Sequence, residues 1–301
     1  MQIRFVAFAI ALQFCVSEFC VLVFSQDMPL SEILIDAEDW ELVEEGFKFT
    51  EGPAVNAAGD VFFTDVPNNK IYKITGYEGV TTFVKDSHRT SGLMFGPDGK
   101  LYGCRRGLKQ IVAYDTEGNA TVIAEGVDGN DLVVNRDGGI YFTEPSTKQI
   151  WYITPKGEKR VVDSGIEKPN GIILWPDQKT LVVADTAGAN LWTFRIEPDG
   201  SLRYKQPYYT MRLTRGKEGS GADGMTVDSR GRLYVATLAG LQFFDTQGRI
   251  SGVIANPNDK RISNVVFGGS KLDTLFITCG NRVFCRRTQA TGARYFDAKS
   301  N

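Results

Sequence analysis

A chain of 301 residues with 42% hydrophobic content can bury a sizeable core, as one large domain or two ordinary ones. Its 34 basic and 36 acidic residues leave a net charge of -2 with no long run of either sign, which argues against nucleic acid as a partner. The 32 glycines, spread at turn-like positions, suit many short strands joined by tight turns.

Residues 1–25 hold one cation, Arg4, then an apolar run, then Val23 and Ser25 spaced for cleavage before Gln26. This predicts an export signal and a periplasmic or extracellular protein with no membrane contact after its removal. Gln13 and Glu18 interrupt the apolar run, so an uncleaved anchor and a buried N-terminal helix are the alternatives. Cys15 lacks the small preceding residue of a lipoprotein site. Residues 26–40 read as a linker.

From residue 41 to 301 the chain repeats itself. Six segments share an apolar strand, a Gly or Asp turn and a second β-rich strand: "EGPAVNAAGDVFFTD" from Glu51, "SGLMFGPDGKLYGC" from Ser91, "NDLVVNRDGGIYFTE" from Asn130, "NGIILWPDQKTLVVAD" from Asn170, "DGMTVDSRGRLYVAT" from Asp223 and "SNVVFGGSKLDTLFIT" from Ser263. Their starts are 40, 39, 40, 53 and 40 residues apart, and further strand signals follow near Tyr72, Val112, Trp151, Trp192 and Phe243. Short strands in fours at this interval predict an all-β, six-bladed β-propeller. The long interval holds "SLRYKQPYYTMRLTRGKEGSG", read as a loop insertion. The segment "WELVEEGF" from Trp40 is expected to add a strand to the last blade and close the ring.

Without the signal three cysteines remain, Cys104, Cys279 and Cys285. A hairpin turning at Gly280–Asn281 would set Cys279 opposite Arg282 and Cys285 opposite Phe276, roughly 10 Å apart along the strands and too far for a disulfide. No Cys/His spacing suits a metal. "NAT" at Asn119–Thr121 is a glycosylation sequon.

In a propeller the first strand of each blade lines the central channel. The six residues just before it, Glu51, Ser91, Asn130, Asn170, Asp223 and Ser263, are all oxygen-bearing. Taken singly, most are ordinary turn residues. As a ring they form a hard, oxygen-only site at the channel mouth, suited to one divalent cation, Ca²⁺ first, with Mg²⁺, Mn²⁺ or Zn²⁺ as alternatives. His88 is the sole histidine and has no evident orienting acid, so triad chemistry is disfavoured. No dinucleotide or P-loop motif occurs. Metal-assisted hydrolysis remains, with Asp223 or Glu51 as base to a water.

The motifs "TEGPAV" at Thr50–Val55, "ND" with "GGIYFTEP" between Asn130 and Pro145, "PNG" at Pro169–Gly171 and "ADGMTVD" at Ala222–Asp228 resemble the SMP-30/gluconolactonase/LRE-like family over roughly residues 40–290. The resemblance implies that Glu51, Asn170 and Asp223 hold a divalent cation, with Asn130 beside it as ligand or substrate contact. It also implies hydrolysis of a small-molecule sugar lactone, such as an aldono-1,5-lactone, with Asp223 as base. Many members carry an arginine just before the "ND" motif, where this chain has "EGVDGND". Arg89, Arg105 and Arg106 are candidates to replace it, and Ser91 and Arg105 are taken with Asn130 as substrate contacts. Glu144 stands where Asp is commoner, a change expected to affect a turn. A secreted binding propeller with a structural calcium and a phosphotriesterase are the competing readings.

Overall fold

The computed structural model describes residues 30–76 and 79–296. The expected signal, residues 1–25, lies outside them. Among the described residues no helix is long and apolar enough to cross a membrane.

Six four-stranded antiparallel sheets follow one another along the chain, each ordered from inner to outer strand. This is the expected six-bladed propeller. The inner strands are Thr50–Val55, Thr90–Phe95, Leu132–Val134, Pro169–Leu174, Met225–Val227 and Ile262–Gly268. The second strands alternate so that both faces pack on neighbouring blades. Val61–Asp65, Ile140–Glu144 and Leu233–Thr237 are buried at every position.

Closure works as the sequence implied. Glu41–Glu45 pairs antiparallel with Arg282–Arg287 on the outside of the last sheet. The Arg282–Glu45 ion pair at 2.8 Å and the Arg287–Glu38 pair at 2.6 Å reinforce the seam. Ile33, just upstream, is fully buried in the core of blades 5 and 6. The last hairpin has the expected register, with Cys279 opposite Arg282 and Cys285 opposite Phe276, and all three cysteines are free.

Two details differ from expectation. In blades 1, 2, 4 and 6 the ring residue lies inside the inner strand, next to a break in register (Glu51/Ala54, Thr90/Leu93, Pro169/Ile172, Ile262/Asn264). Such an irregularity re-aims side chains, here at the strand end nearest the mouth. Second, the first half of the presumed loop insertion is the outer strand of blade 4, Leu202–Thr210. Pro207 is tolerated there because the strand is at an edge and pairs with Trp192 beside a bulge. Only the stretch from Met211 to the mouth is a loop.

After the last blade, the chain crosses the face opposite the mouth. Gly292 bridges to Asp228, Ala293 N donates to Val227 O, and the Tyr295 hydroxyl donates to Leu174 O. A cavity of about 650 Å³ lies in the channel above this segment, lined among others by Leu93, Asp131, Ile172, Asn264, Val265 and Tyr295.

Candidate functional site

The mouth of the channel is stitched blade to blade through the ring residues. Thr64 Oγ1 donates to Ser91 O (3.1 Å), Gly92 N to Asn130 O (2.9 Å), and Thr143 Oγ1 to Asn170 O (2.6 Å). Thr186 Oγ1 donates to Ala222 O (2.8 Å), Gly224 N to Ser263 O (2.9 Å), and Ser263 Oγ to Thr50 O (2.9 Å). Every junction therefore has at least one bond, and the ring is held rigid before any ligand arrives.

The next residue along each blade is Gly52, Gly92, Asp131, Gly171, Gly224 and Asn264. The four glycines are steric necessities. A Cβ at Gly92 would meet the Asp131 carboxylate, one at Gly224 the Asn264 amide, and one at Gly171 the Asp223 carbonyl. Gly52 adds a positive φ of 51° to the same crowding. Expected for Gly171→Ala is a lower melting temperature, because overpacking of this kind costs about 1–3 kcal/mol, together with loss of cation affinity as Asp223 is pushed aside. Thermal unfolding and calorimetric titration with Ca²⁺ check both parts.

Glu51 and Asp223 are almost completely buried, at 9% and 3% exposure. Asp131 is half-buried and lines the cavity in the channel. Three carboxylates are thus withdrawn from bulk water in one place, and each feels the others. Burial, and then the charge of Glu51, hold Asp223 well above the usual carboxylate range, with Arg261 pulling the other way. Burial likewise raises Glu51, against the Gly52 N–H and Arg261. Asp131 is pushed up to about 7 by desolvation and by Glu51, although the Leu132 N–H and the Asn264 amide favour its anion.

Asn264 lies against both acids, its Nδ2 3.5 Å from Glu51 Oε2. Asn170 is oriented by Thr186, to whose Oγ1 its Nδ2 donates at 3.0 Å. This leaves Asn170 Oδ1 buried with no hydrogen-bond partner. A buried, unpaired acceptor costs on the order of 1–3 kcal/mol and calls for an explanation. Beside the acids, that explanation is a cation. The set of Glu51, Asp223 and Asn170 Oδ1 fits a hard divalent ion, because all its donors are oxygens and the ion's charge would relieve their repulsion. Among the described residues no three His, Cys, Asp or Glu side chains close into a ready-made cage, so amide oxygen has to complete the set.

The other ring members divide. Asn130 is half-buried at the mouth, its backbone fixed by Thr143 O and Gly92 N. Ser91 is buried beside it at 5% exposure. Ser263 turns into the blade, where its Oγ meets Thr50 O and Thr278, so it contributes to the seam and not to the channel. Arg105 does not reach over the mouth. Its guanidinium packs on the Tyr114 ring at 5.5 Å, with Nη2 3.5 Å from the hydroxyl. Arg106 is paired with Asp128 at 2.9 Å.

The reason lies in its position. In blades 1, 3 and 4 the last residue of the second strand caps the loop entering its own blade. Asp65 accepts from Lys48 N and Phe49 N, Glu144 from Asp128 N, and Asp185 from Lys168 N. Arg105 occupies the same place in blade 2 and lies against Tyr114 of its own sheet. Glu144, with its longer arm, also accepts from Thr147 Oγ1 and Trp151 Nε1, so it serves the turn.

Sequence reasoning missed Asp131, Asn264 and Arg261. The first two were legible one column beyond the ring, as the two polar residues in a column otherwise of glycine. Arg261, whose Nη2 donates to Asp223 Oδ2, had no such signal.

Comparison with known proteins gives the chain a family. Residues 49–281 match the SMP-30/Gluconolactonase/LRE-like region. The chain belongs to that family. It is 27% identical to the gluconolactonase of Zymomonas mobilis, over 87% of this chain and 85% of that one. It is 22% identical to a pentonolactonase of Haloferax volcanii, over 79% and 83%. Among solved structures, a gluconolactonase of Xanthomonas campestris superposes with a TM-score of 0.76 at 24% identity, covering 86% of this chain and 92% of the other. A calcium-binding regucalcin of Agrobacterium tumefaciens gives 0.73 at 17% identity, covering 86% and 96%. At these identities the structural likeness establishes the shared fold.

Proposed function

We propose that this protein is a divalent-cation-dependent lactonase that opens a sugar lactone such as an aldono-1,5-lactone. The observation that carries the reading is the unpaired Asn170 Oδ1 set beside the carboxylates of Glu51 and Asp223 at the channel mouth. The lactonase names of the relatives support the substrate class. Glu51, Asn170 and Asp223 would hold the cation, with Asn130 as a further ligand or a contact to the lactone. When bound, a divalent cation polarises the carbonyl and offsets the negative charge that develops on it.

The rest falls to side chains. Asp223 takes a proton from a water as its oxygen bonds to the carbonyl carbon. The ring C–O bond then breaks, and a proton passes to the departing oxygen to give the hydroxy acid. Arg261 holds Asp223 Oδ2, and Oδ1 takes no hydrogen bond from a described residue, which leaves it for this work. Ser91 and Asn130 line the same edge and are proposed to meet the lactone's oxygens. Export by residues 1–25 is part of the same reading.

The test is acid release from a panel of aldonolactones by protein lacking residues 1–25, chelated and then resupplied with Ca²⁺, Mg²⁺, Mn²⁺ or Zn²⁺. Acid release that depends on the cation is the expected result. No turnover on any lactone, with the cation still raising the melting temperature, would overturn the reading in favour of a binding propeller.

A second expectation needs no substrate. Because the acids hold protons more tightly than usual before the cation arrives, Ca²⁺ binding at pH 6 should release protons, and fewer as pH rises past the value near 7 of Asp131. Titration in two buffers of different ionisation enthalpy measures the number.

A further inference from the structure

The Asp223–Arg261 contact joins two blades and two very different environments. The side chain of Asp223 is 4% exposed and that of Arg261 36%. The guanidinium therefore stands between the acid and solvent, on the path by which a small molecule reaches the ring. One N–H is used on Asp223 Oδ2, and among the described residues its other N–H groups meet no acceptor. A planar fork of donors tied at one corner can present the rest to an incoming molecule.

Its backbone is fixed from several sides. Asn256 Nδ2 donates to Lys260 O, Lys260 N to Asn258 Oδ1, and Cys279 Sγ lies 3.3 Å from both Asn258 Oδ1 and Lys260 O. Cys279 is the capping position of blade 6, equivalent to Asp65, Glu144 and Asp185 in their blades. The inner strand then begins at Ile262. The arm is thus anchored immediately before it enters the mouth. Two of the other candidate cations are engaged elsewhere: Arg105 lies on Tyr114 and Arg106 on Asp128.

We propose that Arg261 determines specificity, its free N–H groups binding the ring hydroxyls of a polyhydroxylated lactone while one corner stays on Asp223. The proposal rests on the lactonase reading above. Hydrogen bonds from a charged donor contribute about 1.5–3 kcal/mol each, or roughly 10–100-fold. A lactone without hydroxyls loses only what the Asp223 contact contributes when the donor is removed.

The experiment compares wild type, Arg261→Met and Arg261→Lys on D-glucono-1,5-lactone and on δ-valerolactone, which has the same ring and no hydroxyls. Ca²⁺ binding to the chelated proteins is followed by calorimetry. Expected for Arg261→Met is a fall in kcat/KM on the gluconolactone about 10–100-fold larger than the fall on δ-valerolactone, the difference lying mostly in KM, since loss of the Asp223 contact is common to both lactones. Ca²⁺ affinity should be retained or tightened, since a competing cation has left Asp223. Arg261→Lys, a point charge without the fork, should recover part of the loss. Equal losses on both lactones, or unchanged kinetics on both, overturn the proposal, the former showing that Arg261 only props Asp223. A wild type that opens neither lactone marks failure of the lactonase reading itself.

Discussion

Asp223→Asn should lower lactone opening by about 10³-fold or more, while the propeller stays folded. An amide of the same shape can still lie against Arg261 but cannot take a proton from water, and general-base contributions alone run to about 10²–10⁴. It also removes one negative charge from the set proposed to hold the cation, so the two losses add. The change should not destabilise the metal-free protein. Asp223 is crowded by Glu51 and by burial, both of which disfavour its anion, and Asn relieves both. Initial rates of acid release, with melting curves of the chelated proteins, check the two halves. A variant that keeps more than a tenth of wild-type turnover would place the base elsewhere.

The blade count was legible because each blade is a local unit. Its strands are neighbours in sequence and its turns are short, so the interval between "EGPAV" and its five counterparts already contains the ring. The polar ring column was legible for a related reason, since an acid or amide ahead of an apolar strand stands out. What that column could not show is direction. Ser91 and Ser263 look alike in sequence and both sit beside a break in register, yet only Ser263 turns its hydroxyl to Thr50 and Thr278. Arg105 looks like a mouth cation until the capping role of its position is seen. Arg261 reads as one more loop cation in "NDKRIS". Only the packing of blade 6 on blade 5, a contact across 38 residues, brings it onto Asp223. The strand in "LRYKQPYYT" was hidden by Pro207, which an edge tolerates and a central strand would not.

Asp131→Asn is expected to separate stability from cation binding. In the channel Asp131 titrates near 7, against 3.8 for an ordinary aspartate, chiefly because it is desolvated and faces Glu51. A carboxyl whose folded pKa is raised favours the folded state below its unfolded pKa, and that advantage is lost as pH rises through the folded one. The metal-free wild type should therefore lose stability between about pH 4 and pH 7, by up to ~4 kcal/mol from this group. Asn at this position is neutral throughout and fits the space left by Gly92, and its Oδ1 can still accept from Leu132 N. At pH 8 the chelated variant should melt several degrees above the chelated wild type, and at pH 4 the two should nearly coincide. Ca²⁺ affinity should move the other way, falling by about tenfold or more, because a negative charge beneath the ring has gone. If the variant instead melts lower at pH 8, the Asp131 anion is stabilised in the channel by something stronger than the repulsion from Glu51, and the electrostatic picture of a site strained by its own acids fails.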